Sequence, residues 1–238
     1  MEFCILLIQY GADMSTVCSN KYIRRPGCYT LLCRACKAGN LNLVKIITVR
    51  TVIDAEYKYG NKKIIDIAAK SGFRDIVRYL VEFCNATSSK SVYYACKYGW
   101  CDVLDYLLTL EPYLNCIPNP LWIACKEGYV DIVTRLLASS TNVEIKFKCL
   151  AIAVEKGFLS IVQQLYSYGI NYIENATLNP LFIACKNQDV AMVDFLLSVG
   201  YCVEDLNYSK ETLLIMMCRR LKPNIEIIKL LIAAGSDV

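Results

Sequence analysis

The chain contains no histidine. That absence removes every Ser–His and Cys–His nucleophile and every His-ligated metal site. Glycine-rich phosphate cradles are missing too, since neither G-x-G-x-x-G nor G-x-x-x-x-G-K-[ST] occurs. No apolar run approaches the roughly 18 residues that a membrane-crossing helix needs, so no membrane association is expected. The N-terminal FCILLI is too short for a signal peptide and follows Glu2 rather than a basic region. Charge is sparse as well, at 20% of residues and a net +4, yet a hydrophobic content of 55% excludes disorder. These absences predict a folded intracellular protein that is not an enzyme and carries no cofactor.

What the chain does contain is a repeated pattern. Asn119 to Leu137, NPLWIACKEGYVDIVTRLL, reads at helical period as two short amphipathic segments split by Gly128. Helices of about ten residues are marginal alone in water, so such a pair must pack against further copies. Alanine, three residues, glycine, then a paired apolar position recurs at Ala35 and Gly39, Ala68 and Gly72, Ala95 and Gly99, Ala124 and Gly128, and Ala153 and Gly157. Two further copies are eroded, with Ala184 and Gln188, then Met217 and Leu221. The anchors step by 33, 27, 29, 29, 31 and 33 residues, which identifies one supersecondary unit used repeatedly.

The unit resembles the ankyrin repeat, a helix, tight turn, helix and projecting hairpin of about 33 residues whose signature opens T-P-L-H-x-A. Asn119-Pro120-Leu121 and Asn179-Pro180-Leu181 match its Pro-Leu, and Thr30 and Thr212 its Thr. Tyr10-Gly11-Ala12-Asp13 and Ala234-Gly235-Ser236-Asp237 match its Gly-Ala-Asp ending. The signature histidine is replaced throughout, by Cys33, Asp66, Tyr93, Trp122, Ala151, Phe182 and Ile215. The resemblance implies an all-α ankyrin-repeat solenoid over residues 1–238. We expect a half-repeat at 1–20 and repeats near 29–60, 61–89, 90–118, 119–147, 148–178, 179–210 and 211–238. Steps shorter than 33 predict trimmed hairpins.

Residue chemistry fits that unit. Asn or Thr before Pro or Leu supplies an N-cap oxygen, and proline at the first helical position strands no amide. Glycine between the helices takes the positive φ of a tight C-cap, while Lys222-Pro223-Asn224 predicts a longer turn in the last repeat, with proline stopping the helix. Of 14 cysteines, Cys36, Cys96, Cys125, Cys185 and Cys218 share the position after the anchor, the register of small buried side chains. Cys33 and Cys36 form a C-x-x-C within one helix, with no second pair and no histidine to complete a zinc site, so no metal is expected. Asp75, Asp102 and Asp131 recur on the second helix as a solvated face.

The resemblance also implies a concave groove, lined by the first helices, that grips other proteins, with the two residues before the glycine pointing into it. The first of these positions holds Lys37, Lys70, Lys97, Lys126, Glu155, Lys186 and Arg219, and the second includes Tyr98 and Glu127. We take Lys37, Lys70, Lys97, Tyr98, Lys126, Glu127, Lys186 and Arg219 as the candidate partner-binding residues. Helices packed about 8 to 10 Å apart space these cations to match an extended peptide with carboxylates or phosphates about every third residue. Such a segment would run from Lys70 to Lys126 and be interrupted at Glu155. Phe73, Trp100, Tyr129 and Phe158 follow four of the glycines and either pack between repeats or edge the groove.

A basic ridge beside aromatics is also a footprint of nucleic-acid binding. The modest net charge and lack of an arginine cluster make nucleic acid the lesser candidate. A third reading is a regulatory or scaffolding segment of a longer polypeptide, since Met1 falls inside a second helix and neither end has a polar capping repeat. The abundance of Tyr, Ile, Lys and Cys is similar in style to ankyrin proteins of large DNA viruses, poxviruses in particular. That style implies a host-cell protein as partner, met in cytoplasm or nucleus.

Overall fold

A computed structural model describes residues 27–50, 58–59, 62–110, 119–139, 143–170, 179–204, 206 and 211–236. The expected half-repeat at 1–20 lies outside the described residues. Fourteen helices and one short hairpin make up the described structure. In order they are α1 (Gly27–Lys37), α2 (Leu41–Arg50), β1 (Lys58–Tyr59), β2 (Lys62–Lys63), α3 (Ile64–Ser71), α4 (Arg74–Cys84), α5 (Ser89–Tyr98) and α6 (Cys101–Leu110). Then come α7 (Pro120–Glu127), α8 (Val130–Ser139), α9 (Val143–Lys156), α10 (Leu159–Ser167), α11 (Pro180–Asn187), α12 (Val190–Ser198), α13 (Leu213–Cys218) and α14 (Ile225–Ala233). Among the described residues no helix is long and apolar enough to cross a membrane.

Two compact units divide the chain, Met1–Pro120 and Leu121–Val238. Each is an all-α stack of helix-turn-helix repeats. In the first unit the first helices α1, α3 and α5 pack side by side in one layer, and the second helices α2, α4 and α6 in another. In the second unit α9, α11 and α13 form the first-helix layer, and α8 packs on α10 and α12 on α14.

The core of each repeat follows from its sequence period. In α4, Ile76, Val77 and Leu80 are buried at i, i+1 and i+4, while Asp75 and Arg78 face water and pair at 3.7 Å. Leu43, Val44 and Ile47 of α2, Val103, Leu104 and Leu107 of α6, and Ile161, Val162 and Leu165 of α10 repeat that register. Each anchor alanine from Ala35 to Ala184 is completely buried, which lets first helices approach closely. Asp75, Asp102 and Asp131 are exposed in the first turns of α4, α6 and α8, where a carboxylate complements the positive helix end.

The stop signal between the two helices of a repeat is a single recurring geometry. Gly39, Gly72, Gly99, Gly128 and Gly157 all adopt positive φ. The amide after the turn residue donates back to the anchor carbonyl, as in Trp100 to Ala95 at 3.0 Å, Tyr129 to Ala124 at 3.1 Å and Phe158 to Ala153 at 2.9 Å. This is the six-to-one bond of a Schellman cap, and it satisfies a carbonyl that the helix end would otherwise orphan. Gln188 takes the same left-handed conformation at φ 59° without being glycine. The expected caps form at Asn179, whose Oδ1 accepts from Leu181 N at 2.9 Å with Pro180 behind it, and at Thr212, whose Oγ1 accepts from Ile215 N at 3.4 Å.

Two expectations are corrected in the last repeat. Helix α13 ends at Cys218, ahead of Pro223, with Arg219 as a right-handed C-cap, so proline is not what stops it. Cys218 is exposed, whereas Cys36, Cys96, Cys125 and Cys185 are buried as expected. The position after the anchor is covered by the following repeat, as Cys125 of α7 is by Cys149 of α9. No described first helix follows α13 to cover Cys218.

The hairpin is antiparallel, with Lys58 opposite Lys63 and Tyr59 opposite Lys62. Between α4 and α5 only residues 85–88 intervene, too few for such a finger, and Asn85 makes the turn at φ 50°. Asp66, at the histidine position of the signature, is buried and accepts from the Lys63 amide at 3.1 Å. Burial raises its pKa, opposed by its hydrogen bonds to Ser88 and Lys63 and by the charges of Lys90 and Lys63.

Candidate functional site

Three members of the aromatic row, Phe73, Trp100 and Phe158, pack between repeats. A Cβ on Gly39 would lie 2.5 Å from the ring of Phe73, one on Gly72 2.5 Å from Trp100, and one on Gly128 2.8 Å from Phe158. Each ring therefore covers the bare glycine of the preceding repeat. Gly157 has no ring over it, because Asp189 stands at the corresponding place and uses its carboxylate to cap α12, accepting from Met192 N at 3.1 Å.

Trp100 does more than cover Gly72. Its Nε1 donates to the carbonyl oxygen of Lys70 at 3.0 Å, satisfying an acceptor in the last turn of α3. The second unit makes analogous backward bonds, Asn187 Nδ2 to Glu155 O at 3.0 Å and Arg220 to Lys186 O at 2.8 Å. Residues at and just after the turn thus bind the C-terminal carbonyls of the preceding first helix.

Against this frame the candidate residues separate. Lys37, Lys126, Glu127, Lys186 and Arg219 are exposed, Lys70 and Lys97 are half-buried, and Tyr98 keeps 37% of its surface. The lysines lie in the last turns of their helices, where a cation also complements the negative helix end. Lys70 Nζ lies 5.3 Å from the centre of the Tyr98 ring, which brings together two candidates from successive repeats. Lys97 Nζ lies 5.7 Å from the Tyr93 ring and donates to its hydroxyl at 3.3 Å. Lys126 Nζ stands 5.0 Å over Trp122. The Lys70 and Lys126 separations fall within the roughly 6 Å range of cation–π attraction, whereas Lys97 is held at the hydroxyl edge of Tyr93 by its hydrogen bond. Arg219 is held in an ion pair with Glu211.

The tyrosines of α5 are in mutual contact. Tyr93 meets Tyr94 edge-on at 5.2 Å, and Tyr94 stacks on Tyr98 at 6.5 Å and 24°. Burial, then Asp66 and the neighbouring phenols, raises the pKa of Tyr94, so its hydroxyl stays protonated at neutral pH. Tyr93, Tyr94 and Trp122 were not among the candidates. The signal for two of them is in the sequence, since Tyr93 precedes Lys97, and Trp122 precedes Lys126, by four residues, the spacing that places side chains over one another on a helix.

The exposed acids of the first unit's helices are confined to the second-helix layer. Helices α1, α3 and α5 carry Arg34, Lys37, Lys70, Lys90 and Lys97, and their one acid, Asp66, is buried. On α2, α4 and α6 the acids Asp75, Glu82, Asp102 and Asp105 are balanced by Lys45, Arg50, Arg74 and Arg78. The first helices of the second unit are mixed, with Glu127, Glu144 and Glu155 among the lysines.

Chemistry at cysteine is suppressed by burial. Burial pushes the Cys33 thiol up to about 11 and the Cys185 thiol up to about 12, and raises Cys36 further, with Cys33 and Cys84 adding to the effect. Cys125 is raised by its hydrogen bond to Cys149 and by burial. Among the described residues no group of three or more Cys, Asp or Glu is placed to hold a metal ion. A cavity of about 510 Å³ beside the hairpin is lined in part by Lys63, Ser88, Ser91 and Leu107. Its Lys63 ammonium is bound to Thr87 O at 3.0 Å.

Comparison with known proteins agrees with this geometry. The ankyrin repeat domain of human ASB11 superposes with a TM-score of 0.71 at 19% identity, covering 87% of this chain and 98% of that one. The ankyrin repeat domain of Bcl-3, described as a member of the IkappaB protein family, superposes with a TM-score of 0.65 at 20% identity, covering 84% and 97%. No curated protein matches the sequence significantly. The family model described as ankyrin repeats (3 copies) matches residues 68–149, 92–176 and 150–238, which together span well over half of the sequence. Both by that match and by the turn geometry of its repeats, the chain belongs to the ankyrin repeat family.

Proposed function

We propose that the chain is a protein-interaction module without catalytic activity, which takes an extended acidic or phosphorylated segment of a partner protein on its first-helix faces. Ankyrin repeat domains are in general modules of protein–protein interaction. The observation that carries the acidic preference is the cationic excess of the first helices in the first unit, where five cations stand on α1, α3 and α5 against one buried acid while the second helices are balanced. The residues assigned to binding are Lys37, Lys70, Lys97 and Tyr98 in the first unit and Lys126, Glu127, Lys186 and Arg219 in the second. Arg219 would have to exchange Glu211 for a partner carboxylate.

Affinity capture from cell lysate tests the reading, comparing the parent chain with a Lys97→Glu, Lys126→Glu, Lys186→Glu variant whose folding is checked by circular dichroism. A protein retained by the parent and lost by the variant, and released as salt shortens the Debye length below about 8 Å, supports it. Capture indifferent to both charge reversal and salt refutes it. A host-cell partner, implied by the viral style of the repeats, would be identified in the same experiment.

A further inference from the structure

The first unit holds an unbroken chain of contacts in which two cations bracket three aromatic rings. Lys70 Nζ lies over Tyr98, Tyr98 stacks on Tyr94, Tyr94 meets Tyr93 edge-on, and Tyr93 receives Lys97 Nζ. Trp100 anchors one end through its bond to the Lys70 carbonyl. An ammonium held at a ring is partly desolvated and has its side-chain freedom reduced, so it loses less entropy when an anion binds. The rings between the cations offer apolar area that a purely acidic ligand would leave in contact with water.

Resting on the acidic-partner reading above, we infer that this ladder recognises a protein segment in which two acidic residues flank one aromatic residue. In an extended chain alternate side chains face the same way and recur about every 6.8 Å. The pattern that fits is therefore acid, spacer, aromatic, spacer, acid, with the acids on Lys70 and Lys97 and the aromatic ring on Tyr94 and Tyr98. A nucleic acid presents the same two features, phosphates and flat bases. The protein segment is favoured because the net charge is only +4 and the four cations on the second helices of the same unit are matched by four acids, which leaves no extended basic track for a phosphate backbone.

The test uses the full chain and a fluorescein-labelled peptide of the pattern glutamate, serine, tryptophan, serine, glutamate, read by anisotropy over a salt series. Two control peptides replace the tryptophan by glycine or both glutamates by glutamine, and a dT oligonucleotide is the competing probe. The expected result is a loss of about tenfold for either control peptide, and of about three- to tenfold for Lys70→Gln and for Lys97→Gln. Lys45→Gln and Lys229→Gln, exposed on the second helices α2 and α14 and outside the assigned binding residues, should bind as the parent does. Equal binding of the peptide lacking tryptophan, or equal losses from the second-helix variants, overturns the ladder and leaves the acidic-partner reading standing. Absence of salt-sensitive binding by any acidic peptide removes that reading as well. Tighter binding of the oligonucleotide than of the peptide overturns the assignment to a protein segment. Circular dichroism of each variant separates loss of the site from loss of fold.

Discussion

The indole of Trp100 lies against Gly72 so closely that a Cβ on Gly72 would sit 2.5 Å from its ring atoms. Glycine at the turn therefore answers two demands, a φ of +83° and a ring from the next repeat. Gly72→Ala should cost about 2 to 4 kcal/mol, combining left-handed strain with overpacking. In a Trp100→Ala background only the strain remains, and the cost should fall to about 1 to 2 kcal/mol. Urea denaturation of the four proteins in the cycle measures this, and an undiminished cost beside alanine would mean that the ring imposes no constraint.

Gln188 shows the converse. In the next repeat Lys222, after Leu221, stands at the position the rings occupy elsewhere, and its carbonyl accepts from Gln188 Nε2 at 3.4 Å. A side chain is tolerated there, but the φ of 59° still carries strain. Gln188→Gly should raise stability by about 1 kcal/mol, since the hydrogen bond it removes is long and exposed. Thermal unfolding checks this, and a variant less stable than the parent would contradict it.

Asp66 predicts a pH dependence of definite sign. Its folded pKa lies above the ordinary aspartate value of 3.8, so the folded protein holds this proton more tightly than the unfolded chain does. The resulting contribution is fully present below about 3.8 and is lost as pH rises through the folded pKa. Asp66→Asn keeps an acceptor for the Lys63 amide and removes the titration. Relative to that variant, the parent should lose stability as pH rises from about 3.8 through the folded pKa. Parallel stability curves over that range would show that burial of Asp66 is fully compensated.

Thiol reactivity should follow burial. Among the described cysteines Cys202 and Cys218 are exposed, so iodoacetamide should modify them before the buried ones, as read by peptide mass spectrometry. Cys185, pushed up to about 12, holds on the order of one thiolate in ten thousand at pH 8 and is buried as well. It should label only with unfolding. Early labelling of Cys185 in native buffer would mean that α11 opens far more readily than its packing implies.

Much of the fold was legible in the sequence because the repeat copies local rules. Ala95, Lys97 and Gly99 specify a helix, its last turn and its stop through backbone bonds to near neighbours, and the same bonds recur from Asn40 to Asp189. The erosion at Leu221 was legible as a departure. Its outcome, a helix ending at Cys218 with an exposed thiol, was not, because it depends on what packs beside α13. The candidate lysines could be placed on their helices from the register alone. Tyr94 could not be joined to Lys70 in that way, because the contact runs through Tyr98 of the next repeat.

The sequence by itself determined the helix pairs, their caps and the cationic column, since each depends on residues within about one turn of one another. Only the tertiary structure decided that Phe73, Trp100 and Phe158 cover glycines and that Lys70 and Lys97 bracket a cluster of tyrosines. Those contacts join residues about one repeat apart, 28 positions from Gly72 to Trp100 and from Lys70 to Tyr98. They exist because stacked helices bring distant backbone within van der Waals reach, and the periodicity of a single chain does not encode that distance.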